Sequence, residues 1–242
     1  MSPDVLVIIA ALLAGGISAV TGFGIGSLLT PVLALQVDTR VAVAAVSVPH
    51  VIGTALRFWL LRGGGVDRRV FWNFGLASAA GGLTGALLQN WISNRWLTVV
   101  FGVLLLFAAV SEITGLARRM RFRRPVAWIG GALSGLLGGL VGNQGGIRSA
   151  ALLGFDLSKQ TFVATATAVA LLVDGARMPI YLATQHEELG PLWPWMAVAT
   201  IGVMIGTVIG NRVLVRIPEV WFRRVLALIL AVLGSAMVAR GI

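Results

Sequence analysis

The chain has no cysteine and little charge of either sign. Only 12% of its 242 residues are Asp, Glu, Lys or Arg, about half of the roughly 25% that soluble domains carry. So few charges leave too little polar surface to face water, which argues against a soluble domain. The lack of cysteine excludes disulfides, thiolate chemistry and cysteine-based metal sites, but it says little about the compartment.

Long apolar runs joined by short loops make up most of the chain. Hydrophobic residues account for 57% of it, and apolar runs of about 18 or more residues are typical of membrane spans. The pattern predicts helices at 5–21, 28–37, 41–61, 70–90, 97–116, 126–141, 148–156, 160–184, 191–211 and 220–240. All eight tryptophans fall near segment ends, as in the aromatic belts of membrane proteins. The first run lacks a basic leader and follows Asp4, so we expect no cleavable signal peptide.

The net charge of +10 lies in loops rather than on a surface for nucleic acid. Basic clusters follow the third segment, join the two halves around 118–124, and lie between the last two segments. The loop 185–190 has no Lys or Arg. The positive-inside rule places the three clusters in the cytoplasm and 185–190 outside. The predicted partner is therefore a lipid bilayer, not nucleic acid, and the residue usage favours a bacterial inner (plasma) membrane with multiple crossings.

Glycine clusters interrupt two of the apolar segments. They are Gly22-Phe23-Gly24-Ile25-Gly26 and Gly142-Asn143-Gln144-Gly145-Gly146. Glycine clusters permit positive φ and end helices. The segments that follow, 28–37 and 148–156, would each extend only about 15 Å, half of a bilayer core.

The two interruptions are related by a shift of 120 residues, which indicates an internal duplication. Under this shift Gly22 falls on Gly142, and Arg57 falls on Arg177. We therefore predict repeats at 1–117 and 126–242, joined by a cytoplasmic basic linker at 118–125. The loop after the third segment is then inside in one repeat and outside in the other, so the repeats are inverted. The predicted fold is an all-α polytopic membrane protein, in which each repeat has a Gly-broken or re-entrant first helix followed by three spanning helices.

A candidate anion site follows from the two interruptions. Each short helix would present unpaired N–H groups and a positive dipole end to the membrane interior, where anions bind. The alternative is that the glycines only allow close helix packing. Asn143 and Gln144 could donate to an anion or cap the broken backbone, and Phe23 could gate or pack. The candidate residues here are Gly22, Phe23, Gly24, Gly26, Ser27, Asn143, Gln144, Gly145 and Gly146.

Three arginines lie within apolar stretches and complete the candidate site. Arg148 begins the second short helix, where burial in lipid would cost about 2.5 kcal/mol or more. It should contact a substrate, a cavity or a partner such as Asp174. Arg57 and Arg177 could line the same path, or could extend to the membrane interface.

Polar residues on the same segments are candidates for coupling or gating. His50, Thr54 and Arg57 share one helical stripe, and Asp174 and Arg177 share another. Asp174 could relay protons, with His50 titrating near neutrality, or could form a salt bridge to Arg177 or Arg148. No partner stands at metal-ligand spacing from His50, so we predict no metal site.

The two glycine motifs resemble those of the TauE/SafE family of sulfite and organosulfur exporters. The resemblance rests on the stretch from Ala14 to Gly26, followed by Pro31 and Leu33, and on the second copy from Gly135 to Gly146. It extends over nearly the whole chain and implies transport of sulfite, sulfonates, thiosulfate or related anions. The chain departs from the family pattern at the following positions: Ile25, Asn143, Gln144, Arg148 and Ala151.

These features predict a secondary transporter, and more specifically an exporter, of a small sulfur-containing anion by alternating access. An anion channel and a non-transporting scaffold subunit remain as alternatives, and a homodimer remains open. No nucleophile–base pair and no nucleotide-binding fingerprint is apparent in the sequence. We therefore predict neither an enzyme nor a cofactor.

Overall fold

The computed structural model describes residues 3–61, 64–116, 124–143, 145–213 and 218–242, and these are helical without any strand. The all-α fold is therefore confirmed. The helices of the first half are α1 (Pro3–Thr21), α2 (Ile25–Ala34), α3 (Thr39–Leu60), α4 (Arg68–Gln89) and α5 (Asn94–Thr114). Those of the second half are α6 (Arg124–Val141), α7 (Gly145–Leu152), α8 (Lys159–Thr184), α9 (His186–Leu189), α10 (Trp193–Val213) and α11 (Glu219–Gly241).

Six helices of the described part are long and apolar enough to cross a membrane: α1, α3, α5, α8, α10 and α11. Helix α4 is as long as α3, with 22 residues, but Asn73 and several glycines dilute its apolar residues. Large apolar side chains cover the outer surface, and every tryptophan except Trp195 is exposed. A multi-pass membrane protein is thereby confirmed, because such a surface is stable only against lipid.

The two glycine clusters break the backbone in the same way. Gly22 has φ 81° and Gly142 has φ 73°, in the left-handed region that favours glycine. Their N–H groups donate to the carbonyls of Ser18 and Gly138, both at 3.0 Å. The breaks therefore share one geometry at positions 120 residues apart.

The short helices begin three residues earlier than the sequence predicts. Helix α2 begins at Ile25 instead of 28, and α7 begins at Gly145 instead of 148. Glycine is tolerated in a first helical turn, where the backbone N–H groups lack intrahelical partners in any case. Helix α7 then tightens into a 3₁₀ turn, Leu153–Phe155, within the segment predicted as helix up to 156.

The helices pair across the two halves in a reciprocal pattern. Helix α1 packs on α10, its counterpart α6 packs on α4, and α5 packs on α11. Glycines allow the close approach, since a Cβ at Gly139 would collide with the Gly82 carbonyl and one at Gly206 with the Leu12 carbonyl. Reciprocal pairing is what two related halves would produce. The inverted orientation and the division at 118–125 remain predictions, and residues 118–123 of that linker lie outside the described residues.

A single cysteine can test the inverted orientation, because the chain has none of its own. We expect Glu187→Cys, at a side chain that is 87% exposed, to react with a membrane-impermeant maleimide added to intact cells. Arg69→Cys, at an exposed position in the first turn of α4, should react only after permeabilisation, as the positive-inside rule requires. Labelling of position 187 only in permeabilised cells would refute the inverted arrangement.

Candidate functional site

The two glycine breaks meet in the interior of the protein. A Cβ at Gly26 would collide with the carbonyl oxygen of Gly142. The Phe23 side chain lies so close to Gly145 that a Cβ there would overlap it. The Ser27 hydroxyl donates to Oδ1 of Asn143 at 3.1 Å. The starts of α2 and α7 are therefore in direct contact, one from each half.

The remaining break residues differ in what surrounds them. Gly24 has φ 131°, which suits glycine, and a Cβ there would press on the Ile17 side chain. A Cβ at Gly146 would meet no atom of the described residues within 4 Å, so among these residues space adjoins the start of α7. Gln144 lies outside the described residues, and its predicted role stays untested.

Arg57 and Arg177 make equivalent contacts in the two halves. Nη1 of Arg57 donates to the Ser18 carbonyl at 2.9 Å and to its hydroxyl at 2.8 Å. Nη1 of Arg177 donates to the Gly138 carbonyl. The two arginines are only 4% and 1% exposed. The alternative that they extend to the membrane interface is therefore wrong. Each instead binds the helix end that precedes a break.

Asp174 is the centre of a buried charged cluster that joins α3 to α8. Its Oδ2 lies 2.7 Å from Nδ1 of His50, and its Oδ1 accepts from Nε of Arg177 at 2.9 Å. Nη2 of Arg177 lies 2.7 Å from the same Oδ1. The sequence left open whether Asp174 pairs with Arg177 or with Arg148. In the structure Asp174 forms its ion pair with Arg177 and not with Arg148. Thr54 is buried on the same helix as His50.

Arg148 has hydrogen-bond donors that the described residues leave unused. It is 3% exposed, and its one hydrogen bond within the described part is a long one, from Nη2 to the Gly22 carbonyl at 3.5 Å. Its Nε and Nη1 are buried without a partner among the described residues, as are Nε of Arg57 and Oγ1 of Thr30. These four atoms belong to residues around the junction of the breaks. Nε of Arg40 and Oε1 of Gln185 are also buried without a partner among the described residues.

The buried charges of this region do not balance. Arg57, Arg148 and Arg177 contribute three positive charges, and Asp174 contributes one negative charge. With His50 neutral, the described interior carries an excess of two positive charges. Unpaired charge is costly in a low-dielectric interior, so this arrangement suits an anionic guest.

Two buried hydrogen bonds at the second break were not apparent in the sequence. The Tyr181 hydroxyl donates to the Gly139 carbonyl, and Nε2 of Gln89 donates to the Leu140 carbonyl at 2.8 Å. Three consecutive backbone carbonyls at the end of α6, those of Gly138, Gly139 and Leu140, therefore accept hydrogen bonds from Arg177, Tyr181 and Gln89. The polarity of Gln89 and Tyr181 was the only feature of the sequence that could have indicated these hydrogen bonds, because both residue types are rare within such apolar helices.

Comparison with known proteins identifies the family. The family model described as Sulfite exporter TauE/SafE matches residues 7–237. The chain belongs to the TauE/SafE family. No curated protein and no solved structure matches the chain. The resemblance drawn from the two glycine motifs is thereby confirmed.

The TauE/SafE assignment describes a family of membrane exporters of sulfite and related anions. This is a transporter family and not a family of enzymes. Among the described residues, no group of three or more His, Asp or Glu side chains could hold a metal ion. Asn143 and Arg148 both lie at the junction of the breaks, where Asn143 accepts from Ser27 and Arg148 donates to the Gly22 carbonyl.

Proposed function

We propose that this protein is a secondary transporter that exports a small sulfur-containing anion, such as sulfite, a sulfonate or thiosulfate, by alternating access. The observation that carries the proposal is Arg148. Its guanidinium is buried beside the junction of the two breaks, and Nε and Nη1 lack partners among the described residues. An oxyanion there would accept from both donors in the forked geometry that guanidinium groups offer.

The starts of α2 and α7 supply the second part of the site. The first N–H groups of a helix have no intrahelical acceptor, and the dipole is positive at that end. Ser27 of α2 and Asn143 before α7 already share a hydrogen bond at 3.1 Å, so the two helix starts converge. No atom of the described residues fills the space beside Gly146, which leaves its backbone accessible to a small guest. The proposed ligands are therefore backbone N–H groups, Asn143 and Arg148.

The excess of two buried positive charges favours a doubly charged anion over a singly charged one. Each uncompensated charge inside a membrane protein costs about 2.5–3.5 kcal/mol on insertion scales. A dianion such as sulfite or thiosulfate would neutralise both charges, whereas a sulfonate would neutralise one. We expect dianions to bind more tightly than monoanions of the same size.

The direction of transport follows from the membrane potential of the bacterial inner membrane, the location we propose. Moving one charge through 100 mV is worth about 2.3 kcal/mol. A dianion leaving a negatively charged cytoplasm therefore gains about 4.6 kcal/mol from that potential. Export needs no nucleotide under these conditions, in keeping with the absence of a recognisable nucleotide-binding motif in the sequence. Alternating exposure of the junction would be achieved by movement of one half against the other.

A thermal-shift measurement on the purified protein tests this function. Sulfite or thiosulfate at about 100 times its dissociation constant should stabilise the folded protein by about 2.7 kcal/mol, or roughly 5–10 °C. Methanesulfonate, which is a monoanion, should give a smaller shift at equal concentration, and sodium chloride at equal ionic strength should give none. Stabilisation by uncharged solutes alone would exclude an anion site. Flux in liposomes then separates a carrier from a channel, because a channel passes far more ions per second.

A further inference from the structure

We propose that His50 binds a proton together with the anion and carries it across the membrane in the same cycle. The inference rests on the proposed transport function and identifies the coupling ion of that same site. His50 lies on α3 of the first half, and its partner Asp174 lies on α8 of the second half. The proton site thus lies at the contact between the parts that must move.

The hydrogen bonds of Asp174 determine which ring nitrogen accepts the proton. Two nitrogens of Arg177 bind Oδ1, at 2.9 and 2.7 Å, and this pairing keeps the carboxylate ionised. An ionised carboxylate only accepts hydrogen bonds, so Nδ1 of His50, at 2.7 Å from Oδ2, must carry a hydrogen. In the neutral ring Nε2 is then the free acceptor. Among the described residues, no hydrogen bond to Nε2 is present.

The free edge of the ring faces the proposed anion site. Cδ2, the carbon bonded to Nε2, lies 3.9 Å from the position of a Cβ at Gly26. Gly26 is the residue of α2 that touches the Gly142 carbonyl at the junction of the breaks. The His50 side chain keeps 11% of its surface accessible, while Asp174 has none. A proton and an anion can therefore approach the same side of the ring.

The charged groups around His50 explain why the two ions would bind together. Helix α8 contributes Asp174 and Arg177, and α7 contributes Arg148. Helix α3 contributes Arg57, two turns further along the same stripe as His50. Helix α2 contributes no charged side chain. Without an anion, the nearby arginines oppose a positive ring. A bound dianion offsets them and stabilises the imidazolium by Coulomb attraction.

The proton balance of the cycle is simple. One N–H bond forms at Nε2 on the side where the anion enters, and the same bond breaks on the side where the anion leaves. Asp174 and Arg177 stay charged throughout. A dianion that moves with one proton transfers one net charge per cycle instead of two, which halves the contribution of the membrane potential to export.

Calorimetry measures this proton directly. Thiosulfate, which stays a dianion throughout this range, is titrated into the purified protein in two buffers of different ionisation enthalpy, at several pH values between about 6 and 8, where histidine titrates. The difference in heat gives the protons taken up per anion. We expect His50→Gln to take up at least about 0.3 proton less than the natural protein at some pH in this range. Glutamine can still donate an N–H to Asp174, which preserves the contact between the halves.

The chain provides a matched control in its only other histidine. His186 begins α9 and has a 72% exposed side chain, so His186→Gln should leave proton uptake unchanged. If His50→Gln does not fold, His50→Asn takes its place. Thiosulfate binding with equal proton uptake in the natural protein and in the His50 variant would overturn the inference alone. A failure of both thiosulfate and sulfite to bind any of these proteins would overturn the proposed function as well.

Discussion

Replacement of Arg148 by glutamine should weaken sulfite binding by about 10- to 100-fold. The estimate follows from the roughly 1.5–3 kcal/mol that hydrogen bonds to charged groups contribute, since each 1.4 kcal/mol is a factor of ten in affinity. Arg148 offers two such donors, Nε and Nη1, that nothing in the described part of the chain occupies. Calorimetric titration of purified protein with sulfite gives the dissociation constant, and efflux from liposomes reports the consequence for transport.

Two further variants separate the guanidinium from simple charge. Arg148→Lys keeps the positive charge but loses the planar fork, so it should bind sulfite with an affinity between those of the natural protein and Arg148→Gln. Arg95→Gln removes an equal charge from the start of α5, where Arg95 binds the backbone carbonyls of Gly241 and Ile242. That control should retain its affinity. Unchanged sulfite binding by Arg148→Gln would remove the principal support for the proposed site.

Local backbone chemistry explains why the breaks could be predicted from the sequence. A run such as Gly142 to Gly146 cannot continue a regular helix at low cost, whatever surrounds it. The internal duplication also indicated that the two buried arginines are equivalent, because Arg57 and Arg177 stand 120 residues apart. Their acceptors, Ser18 and Gly138, are also 120 residues apart. A contact that occurs once in each half therefore leaves its trace in the internal repeat of the sequence.

The His50–Asp174 contact could not be predicted in this way. The two residues are not equivalents, since the shift of 120 places His50 on Ala170 and Asp174 on Thr54. Their distance of 2.7 Å depends on how α3 packs against α8, which no local pattern specifies. Only the spacing of Asp174 and Arg177, one turn apart on α8, predicted an ion pair there. The sequence also could not predict that Arg148 has no carboxylate partner among the described residues, because this depends on whether Arg148 or Arg177 contacts Asp174 in the folded protein.

The helices that end at a break were placed better than the short helices that follow it, since α2 and α7 also end earlier than predicted, at Ala34 and Leu152 instead of 37 and 156. The positive φ of Gly22 and Gly142 ends α1 and α6 at or beside the predicted residue. The starts of α2 and α7 depended on apolar periodicity, which glycine does not supply. The sequence therefore placed both starts beyond the residues that form the junction, Gly26 and Gly145.

Asp174→Asn should lower the melting temperature of the purified protein by about 10 °C. Asp174 has no exposed surface and accepts from both His50 and Arg177. Removing one partner of a buried ion pair costs about 3–5 kcal/mol, because the remaining charge has lost its counter-ion. For a chain of this size, each kcal/mol corresponds to about 2–4 °C. Differential scanning fluorimetry in detergent measures the change.

A control and a paired substitution identify the origin of this loss. Glu187→Gln removes a carboxylate whose side chain is 87% exposed and whose partner His186 is 4.0 Å away, so it should leave the melting temperature unchanged. Asp174→Leu combined with Arg177→Met removes both charges and should recover much of the stability that Asp174→Asn loses. Equal melting temperatures for Asp174→Asn and the natural protein would mean that another anion balances Arg177.

Comparison of Asp174→Asn with the double variant Asp174→Leu/Arg177→Met shows whether the charged cluster serves the stability of the fold or the transport cycle. If the cluster only stabilises the fold, the apolar double variant should regain sulfite flux together with its melting temperature. If His50 needs the carboxylate to hold its proton, the double variant should fold and still show reduced proton uptake per anion, because the imidazolium has lost its counter-ion. Stability that returns without proton uptake would therefore assign the buried carboxylate to coupling. If both the melting temperature and the proton uptake return, the carboxylate of Asp174 serves only the contact between α3 and α8.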